Sequence, residues 1–472
     1  MSTLTHDSDS AVSLQAPALN QIVWEQEVLS QLPDDYQQQA RRLGAFVRVR
    51  KLHSPGDLLR ALLAYVLSFP SLRQLGAWGV LAKVADLSHV AWGKRLRLAR
   101  AWVLWLLIEL LAVPGQELSR PLPVKRIVLI DATRLKEPGG TGDDWRAHLG
   151  YDLLAGRLLD VKLSDRHTAE GFTLFLLRPG DLVVADRGYC RRKQLVSVCR
   201  CGAFLLVRLA VHQVPLLDAD GQPFDVLAWL KTLGPGQHGA RVSFEQAGER
   251  ISVRLLACSL PEEAAERARK KEQKKAAKQQ RHLGEDTLFL CGWLLLISTV
   301  PQELFTDSQL LALYRARWQI ELLIKRIKQL LKLAQLRGKG AATNEAILLL
   351  VLLAFALVQG EAARLRQELT AVLCTWAQTA AAASQEPVAS TLSPASVSSW
   401  TLLAVCVQTL RIIVTGQWSL AHLHASLPQL ARHLGSRTGQ RSHQESRIRQ
   451  QMLALLSCGP KASSRLFFCS SA

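Results

Sequence analysis

The sequence predicts an α/β fold with helical regions at both ends of the chain. Two short apolar runs, Ile127–Ile130 and Leu182–Ala185, have the composition of buried strands, and an aspartate follows each run directly. A third segment, Tyr314–Lys328, has the composition and the period of an amphipathic helix. Strands and helices that alternate along one chain are typical of a sheet covered by helices.

Size and charge narrow the choice of partner. A chain of 472 residues is expected to form about three domains at roughly 150 residues each. Its 58 Lys and Arg residues outnumber 39 Asp and Glu residues, and the resulting net charge of +19 favours a polyanionic partner. Composition alone also allows a solvated basic surface or an anionic membrane.

The N-terminal region is helical and basic. Residues 41–100 contain twelve Lys and Arg residues but only two acids. Ser71 and Ser88 each precede an apolar-periodic segment, as helix N-caps do, so we expect two helices joined by a short turn. Such a pair could be a helix-turn-helix that enters a DNA groove, or an ordinary helical hairpin with a basic face.

The next region predicts a sheet. The first apolar run should end as a strand at Asp131, and two further strands, His148–Leu154 and Arg157–Leu163, are separated by the turn Ala155–Gly156. A helix is expected over Ala169–Leu177 before the second apolar run, which ends at Asp186.

Residues 203–292 have the pattern of a β-rich insertion. Alternating runs at Ala240–Phe244 and Ile251–Leu256 predict strands, and Leu294–Val300 should return to the core sheet. Within the insertion, residues 267–281 carry eight Lys and Arg residues against one Glu. This basic arm could contact phosphates or could be a solvated helix.

From Glu345 onward the pattern is mostly helical, with a low-complexity stretch at residues 380–399. The longest apolar run, Ala346–Val358, has 13 residues, which is short of the roughly 20 that span a bilayer. We therefore expect a buried helix and no membrane partner. The absence of an N-terminal targeting pattern predicts a cytoplasmic protein with reduced cysteines.

The segment Tyr314–Lys328 carries the most chemical information. On a single helix Tyr314, Arg317, Glu321 and Lys328 share one narrow stripe. A glutamate among basic residues often forms only a salt-bridged helix face. With Asp131 and Asp186 at adjacent strand ends, however, three carboxylates could converge, and hard oxygen ligands suit Mg²⁺.

These residues resemble a known family, the DDE transposases of bacterial insertion sequences, in the branch with the Y-x2-R-x3-E-x6-K signature. Tyr314, Arg317, Glu321 and Lys328 match its four positions, and an Asp-Arg-Gly-Tyr block begins at Asp186. The resemblance implies a ribonuclease-H-like catalytic core interrupted by a β-rich insertion and flanked by helical N- and C-terminal domains. It implies a basic helical N-terminal domain that binds DNA (1–118) and a first part of the core (119–202). The β-rich insertion with its basic arm (203–292), the last core strand with the signature helix (293–342) and a helical C-terminal region (343–472) follow.

The resemblance also implies site residues and partners. Asp131, Asp186 and Glu321 would bind two Mg²⁺ ions, for which Mn²⁺ would substitute, and would catalyse cleavage and strand transfer. Tyr314, Arg317 and Lys328 would hold double-stranded DNA, both the element terminal repeats and the target, in a homodimeric synaptic complex. Trp293 would stack on a base flipped out during hairpin formation, although a Trp buried where the insertion meets the core is the more ordinary interpretation.

Two other functions remain open from the sequence. A non-catalytic DNA-binding regulator derived from a transposase would use the basic N-terminal region alone, and a nuclease of the same fold would cut without joining. Four other side chains near the first strands are expected to be structural rather than catalytic: Asp143, Asp144, Asp152 and His167.

Overall fold

The computed structural model describes residues 20–112, 124–137, 139, 144–333, 336–338, 340–383 and 399–416. Asp143 and most of the low-complexity stretch lie outside these residues. The described residues contain ten strands: β1 Arg126–Leu135, β2 Trp145–Asp152, β3 Arg157–Asp165, β4 Asp181–Ala185, β5 Phe204–Arg208, β6 Leu216–Leu217, β7 Pro223–Phe224, β8 Gln237–Gln246, β9 Glu249–Ser259 and β10 Trp293–Ser298.

The helices are numbered along the chain in the same way. They are α1 Tyr36–Arg42, α2 Pro55–Ser68, α3 Leu72–Leu81, α4 His89–Leu98, α5 Arg100–Ala112, α6 Arg192–Arg200, α7 Val226–Lys231, α8 Glu262–Lys278, α9 Glu285–Leu290, α10 Asp307–Ala316, α11 Trp318–Leu330, α12 Ala341–Ala383 and α13 Ser399–Thr415.

All ten strands form one mixed sheet in the order β3-β2-β1-β4-β5-β10-β9-β8-β6-β7. The first three strands pair antiparallel, and β1, β4 and β5 pair parallel. The α/β class is confirmed. The predicted turn between β2 and β3 is also confirmed, and Gly156 supplies its positive φ of 67°.

The expected end of the first strand was wrong. β1 continues beyond Asp131 to Leu135, because the first half of β2 supplies partners for every residue of this extension. Asp131 itself lies opposite Leu149 of β2. Asp131, the catalytic candidate, therefore lies in the middle of a stretch of β1 that pairs with β2 both before and after it.

The helix expected over Ala169–Leu177 is absent, and only a 3-10 turn at Phe172–Leu174 forms there. Phe172 is buried, and its backbone N–H donates to the side-chain oxygen of Gln194 on α6 at 2.7 Å. This tertiary contact takes the place of a helical hydrogen bond.

The strands that we expected in the insertion are present, but they belong to the core sheet and extend it. β10 pairs antiparallel with β5 on one side and with β9 on the other, and β8 pairs with β9. β5 falls within residues 203–292, yet it pairs parallel with β4 in the centre of the sheet. The core sheet thus includes five residues that the predicted division gave to the insertion.

The N-terminal and C-terminal helices pack together on one face of the sheet in a single apolar core. The buried Arg60 donates from Nε to the carbonyl of Val414 at 2.9 Å, which joins α2 to α13. Ser71 and Ser88 cap α3 and α4, as expected, by accepting from the N–H groups three residues ahead. Whether this helix pair enters a DNA groove stays a prediction.

Helix α12 is longer than the apolar run that predicted it. Its portion Ala341–Leu365 is long and apolar enough to cross a membrane by length and composition alone, but 72% of the apolar window is buried inside the protein. Every residue of the run Ala346–Val358 is buried. The expectation of a buried core helix is confirmed. The six cysteines whose side chains are described are free, as expected.

Candidate active site

Asp131 and Asp186 occupy equivalent places on neighbouring strands. β1 and β4 run parallel, with Leu129 opposite Val184. Two residues further along each chain are Asp131 and Asp186, so the same register sets the two aspartates side by side on strands about 4.8 Å apart. Strand pairing alone thus brings together two residues that are 55 positions apart in the sequence.

Asp131 faces the helical side of the sheet. Its strand neighbour Leu129, which points the same way, packs in one apolar cluster with Ile320 and Ile324 of α11. Burial raises the pKa of Asp131 to about 6, a backbone hydrogen bond from Ala132 opposes this rise, and the negative charge of Asp186 adds to it. Carboxylates gathered out of water make this a site that favours a cation.

Asp186 sits where β4 ends and a 3-10 turn begins. Its carboxylate accepts the N–H of Gly188 at 2.7 Å. A Cβ atom on Gly188 would lie 2.7 Å from a carboxylate oxygen of Glu170 and 3.1 Å from one of Asp186. Glu170 therefore brings a further carboxylate close to Asp186, across a position where only glycine fits without displacing a neighbour.

Tyr189 lies beneath these acids. Its side chain is fully buried, and its hydroxyl has no hydrogen-bond partner among the described residues. Burial raises the pKa of Tyr189, and the negative charges of Glu170, Asp131 and Asp186 raise it further. A protonated hydroxyl is thus kept, without a partner, beside three carboxylates.

The signature segment is two helices and not the single helix expected. α10 ends at Ala316 and α11 begins at Trp318, with Arg317 between them. The N–H of Arg317 bonds to the carbonyl of Tyr314 at 3.1 Å, and Ile320 bonds back to Arg317 at 3.2 Å, so the turn tightens here. Spacing by 100° per residue does not reveal such a break.

Arg317 nevertheless contacts two other signature residues, Glu321 and Tyr314. Arg317 forms an ion pair with Glu321, one turn further along α11. The guanidinium carbon of Arg317 also lies 5.9 Å from the ring centre of Tyr314. Burial raises the pKa of Tyr314 to about 12, so its hydroxyl stays protonated. Lys328 lies seven residues beyond Glu321, about 10 Å along the helix axis.

Glu321 acts on Asp131 through space, since its charge contributes to the raised pKa of that residue while Arg317 opposes it. The three carboxylates do not lie at ligand distance. No group of three His, Cys, Asp or Glu side chains in the described part of the chain is close enough to hold one metal ion. The ion pair with Arg317 engages one carboxylate oxygen of Glu321.

A cleft of about 1270 Å³ opens beside Asp186. Trp293, the first residue of β10, lines it and is only 8% exposed. Helix α8, which overlaps the basic arm, forms another wall. Nine Lys and Arg side chains line the cleft against two acids: Arg187, Arg208, Arg267, Lys270, Lys271, Lys274, Lys275, Lys278 and Arg281, with Asp186 and Glu272.

The acids expected to be structural have structural contacts where they are described. Asp144 accepts the N–H of Glu137 at 3.0 Å, and Asp152 accepts those of Leu154 and Ala155 in the turn before β3. His167 is exposed on the surface.

Sequence reasoning missed two residues of this region. Glu170 lies in a segment expected to be helical, and only the fold brings it to Asp186. Arg208 ends β5, lines the cleft and acts electrostatically on Tyr314. A charged residue at the end of an apolar run was the signal for Arg208, and it is the same signal that identified Asp186.

Comparison with known proteins decides the family. A family model described as the transposase DDE domain matches residues 122–357, which include β1 to β10 and the signature helices. The putative transposase InsL of insertion sequence element IS186A from Escherichia coli K12 is 34% identical over 333 residues, covering 69% of this chain and 90% of the relative. The chain belongs to the DDE transposases.

Further relatives place this transposase among those of bacterial insertion sequences. The transposase of IS421 from Escherichia coli is also 34% identical, over 334 residues and 90% of its length. The transposase of IS231B from Bacillus thuringiensis is 25% identical over 241 residues, 44% of this chain and half of the relative. DDE transposases act on DNA with divalent metal ions, so the cationic cleft beside Asp186 has the charge that their substrate requires.

Proposed function

We propose that this transposase cuts the ends of its insertion sequence at a divalent metal centre held by Asp131, Asp186 and Glu321. The observation that carries the proposal is the placement of the two aspartates at equivalent positions of parallel β1 and β4, with Glu321 on the helix above. Mg²⁺ is the expected metal, as two ions, and Mn²⁺ should replace it.

The donor set fits such a centre. Carboxylate oxygens are the ligands that Mg²⁺ prefers. Burial is the main cause of the raised pKa of Asp131, and the negative charges of Asp186 and Glu321 add to it. The hydroxyl of Tyr189, which has no hydrogen-bond partner in the described part of the chain, adds a polar group beside the same acids. For Glu321 to act as a ligand, its ion pair with Arg317 has to open or be shared.

Metal ions bound here would supply activation of the attacking oxygen and stabilisation of the leaving oxygen in phosphodiester cleavage. The side chains around them have their own tasks. Arg317 and Lys328 carry the charge to hold phosphates of the cut strand, and Tyr314 offers a protonated hydroxyl or its ring. Arg208 lies on the same side and extends this anion-binding surface.

The fold of the catalytic region supports a ribonuclease-H-like core. Its first five strands in sheet order, β3-β2-β1-β4-β5, are antiparallel up to β1 and parallel from β1 onward. The β-rich insertion then enters between β5 and β10.

Element ends would be excised by cut-and-paste through a DNA hairpin, within a homodimer paired on two terminal repeats. Trp293 lines the cleft beside Asp186, where a base flipped out of the duplex would find an aromatic surface. Double-stranded DNA, first the element ends and then the target, is the partner, and the cytoplasm is where this enzyme would meet it.

A cleavage and strand-transfer assay tests this function. Wild type and Glu321→Gln are incubated with duplex DNA that carries the flanking element ends, in Mg²⁺ and in Mn²⁺. We expect wild type to nick and join, and the variant to bind the duplex without cutting it. Binding by wild type without cutting in either metal would indicate a regulator, and cutting without joining would indicate a nuclease.

A further inference from the structure

Helix α8 presents one row of cations to the cleft. Arg267, Lys271, Lys274 and Lys278 are spaced by four, three and four residues, so they lie on one side of the helix within about 60° of each other. All four are exposed and all four line the cleft that contains Asp186. We call these four residues the basic stripe.

The basic stripe differs from its neighbours in its charge partners. Lys270 pairs with Glu266, and Lys275 and Arg281 pair with Glu272. Within the described part of the chain, the four stripe residues make no ion pair. Their positive charges are therefore available to a ligand.

The rest of the helix fixes the direction of the stripe. Ala265 and Ala276 are buried, and by helix geometry they lie about 160° to 180° from Arg267. The helix packs through this small-residue side and turns its cations outward. Like charges at spacings of three and four residues destabilise a helix by about 0.2–0.5 kcal/mol per pair. A merely solvated arm gains nothing from concentrating them on one side.

The dimensions suit a phosphate backbone. From Arg267 to Lys278 the stripe spans about 16 Å along the helix axis. One strand of B-DNA presents a phosphate about every 3.4 Å of its axis, so a stripe of this length faces roughly five phosphates. Contacts of this kind position a duplex without reading its sequence.

We propose that the basic stripe of α8 holds the backbone of the element-end duplex while the strand at Asp186 is cut. This inference rests on the proposed function. Because the stripe and Asp186 line one cleft, the DNA that it holds is the duplex being cleaved. The target duplex, which is needed only for joining, binds elsewhere.

The test replaces two stripe cations by glutamine, Lys271→Gln with Lys274→Gln. Glutamine keeps helix propensity close to that of lysine, so α8 should remain folded. The matched control is Lys125→Gln with Arg178→Gln, two exposed cations near the opposite ends of β1 and β4. Both double variants lower the net charge by two.

Affinity for a linear duplex carrying the element end is measured against salt concentration. Each lost phosphate contact should reduce the slope of log affinity against log salt by about 0.9, so the stripe variant should lose about 1.8 and the control nothing. The wild-type advantage over the stripe variant should then shrink about tenfold between about 50 and 200 mM salt. Equal slopes in the stripe variant and the control would overturn the proposal.

Nicking and joining on the same DNA identify which duplex is held. We expect the stripe variant to nick more slowly at low DNA concentration and to recover at saturating DNA. Normal binding and nicking with loss of joining alone would show that the stripe receives target DNA, and would overturn the proposal. Failure of wild type to nick in any metal refutes the proposed function, whereas the salt slopes still decide the stripe.

Discussion

The two ends of strand β4 carry the same residue type in opposite electrostatic settings. At its start, Asp181 is buried and accepts two hydrogen bonds from Arg126, each 2.7 Å, and a third from the N–H of Arg178. At its end, Asp186 accepts one backbone N–H and faces further carboxylates. The charge of Asp181 is satisfied by a buried ion pair, whereas Asp186, a proposed metal ligand, has no ion pair among the described residues.

The comparison predicts that Asp186→Asn abolishes nicking without lowering the free energy of unfolding. The negative charges of Asp186 and Asp131 repel each other, and the substitution removes this repulsion. The free energy of unfolding should therefore stay the same or rise slightly. Nicking and urea unfolding are measured on the same preparation. A variant that still nicks at the wild-type rate would remove Asp186 from the catalytic set.

The substitution Asp181→Asn should have the opposite profile. It leaves the partly buried Arg126 without its charge partner, and breaking a buried pair costs about 3 kcal/mol or more. Urea unfolding should show this loss, while folded enzyme still nicks DNA. The double variant with Arg126→Met should recover part of the stability, and a loss below about 1 kcal/mol would mean that this end is not the stabilising one.

The substitution Gly188→Ala should sharpen the contrast at the catalytic end. The new Cβ would meet the ends of the Glu170 and Asp186 side chains, which can move at little cost to folding. A displacement near 1 Å can reduce catalysis by about 10²-fold. Nicking should therefore fall by that order while stability changes by less than about 1 kcal/mol. Unchanged nicking would show that the position of Asp186 is not critical.

The smallest expected effect is that of Tyr189→Phe. The hydroxyl is buried and has no hydrogen-bond partner among the residues that the structure describes, and such a group costs about 1 kcal/mol or more. Its removal should raise the free energy of unfolding by about 1 kcal/mol, measured in urea. A decrease in the free energy of unfolding would mean that the hydroxyl of Tyr189 has a hydrogen-bond partner in solution. The hydroxyl would then stabilise the fold.

The sequence allowed the places of the proposed metal ligands in the fold to be predicted in part, because strand ends and helix period are local patterns. It predicted Asp186 at the end of β4 and Glu321 on an amphipathic helix. It placed Asp131 at a strand end, however, and the extension of β1 depends on its pairing with the next strand, β2. Registers between strands are tertiary properties that a single run of residues does not record.

Other features of the site could not be read from a local sequence pattern alone. The break at Arg317 leaves the amphipathic period nearly intact, so the pattern predicted one helix. The approach of Glu170 to Asp186 requires a turn fixed by Gln194 on another helix. The basic arm was visible as charge, but only the fold shows that α8 lines the cleft beside Asp186.

The account's central claim is that Asp131, Asp186 and Glu321 act as one metal centre. Its most direct test is Mn²⁺ binding to the complex with element-end DNA, followed by electron paramagnetic resonance, in wild type and in Asp131→Asn, Asp186→Asn and Glu321→Gln. We predict two bound ions in wild type and loss of binding in each variant, with Asp181→Asn binding as wild type does. Equal Mn²⁺ binding by wild type and all three variants would contradict the claim.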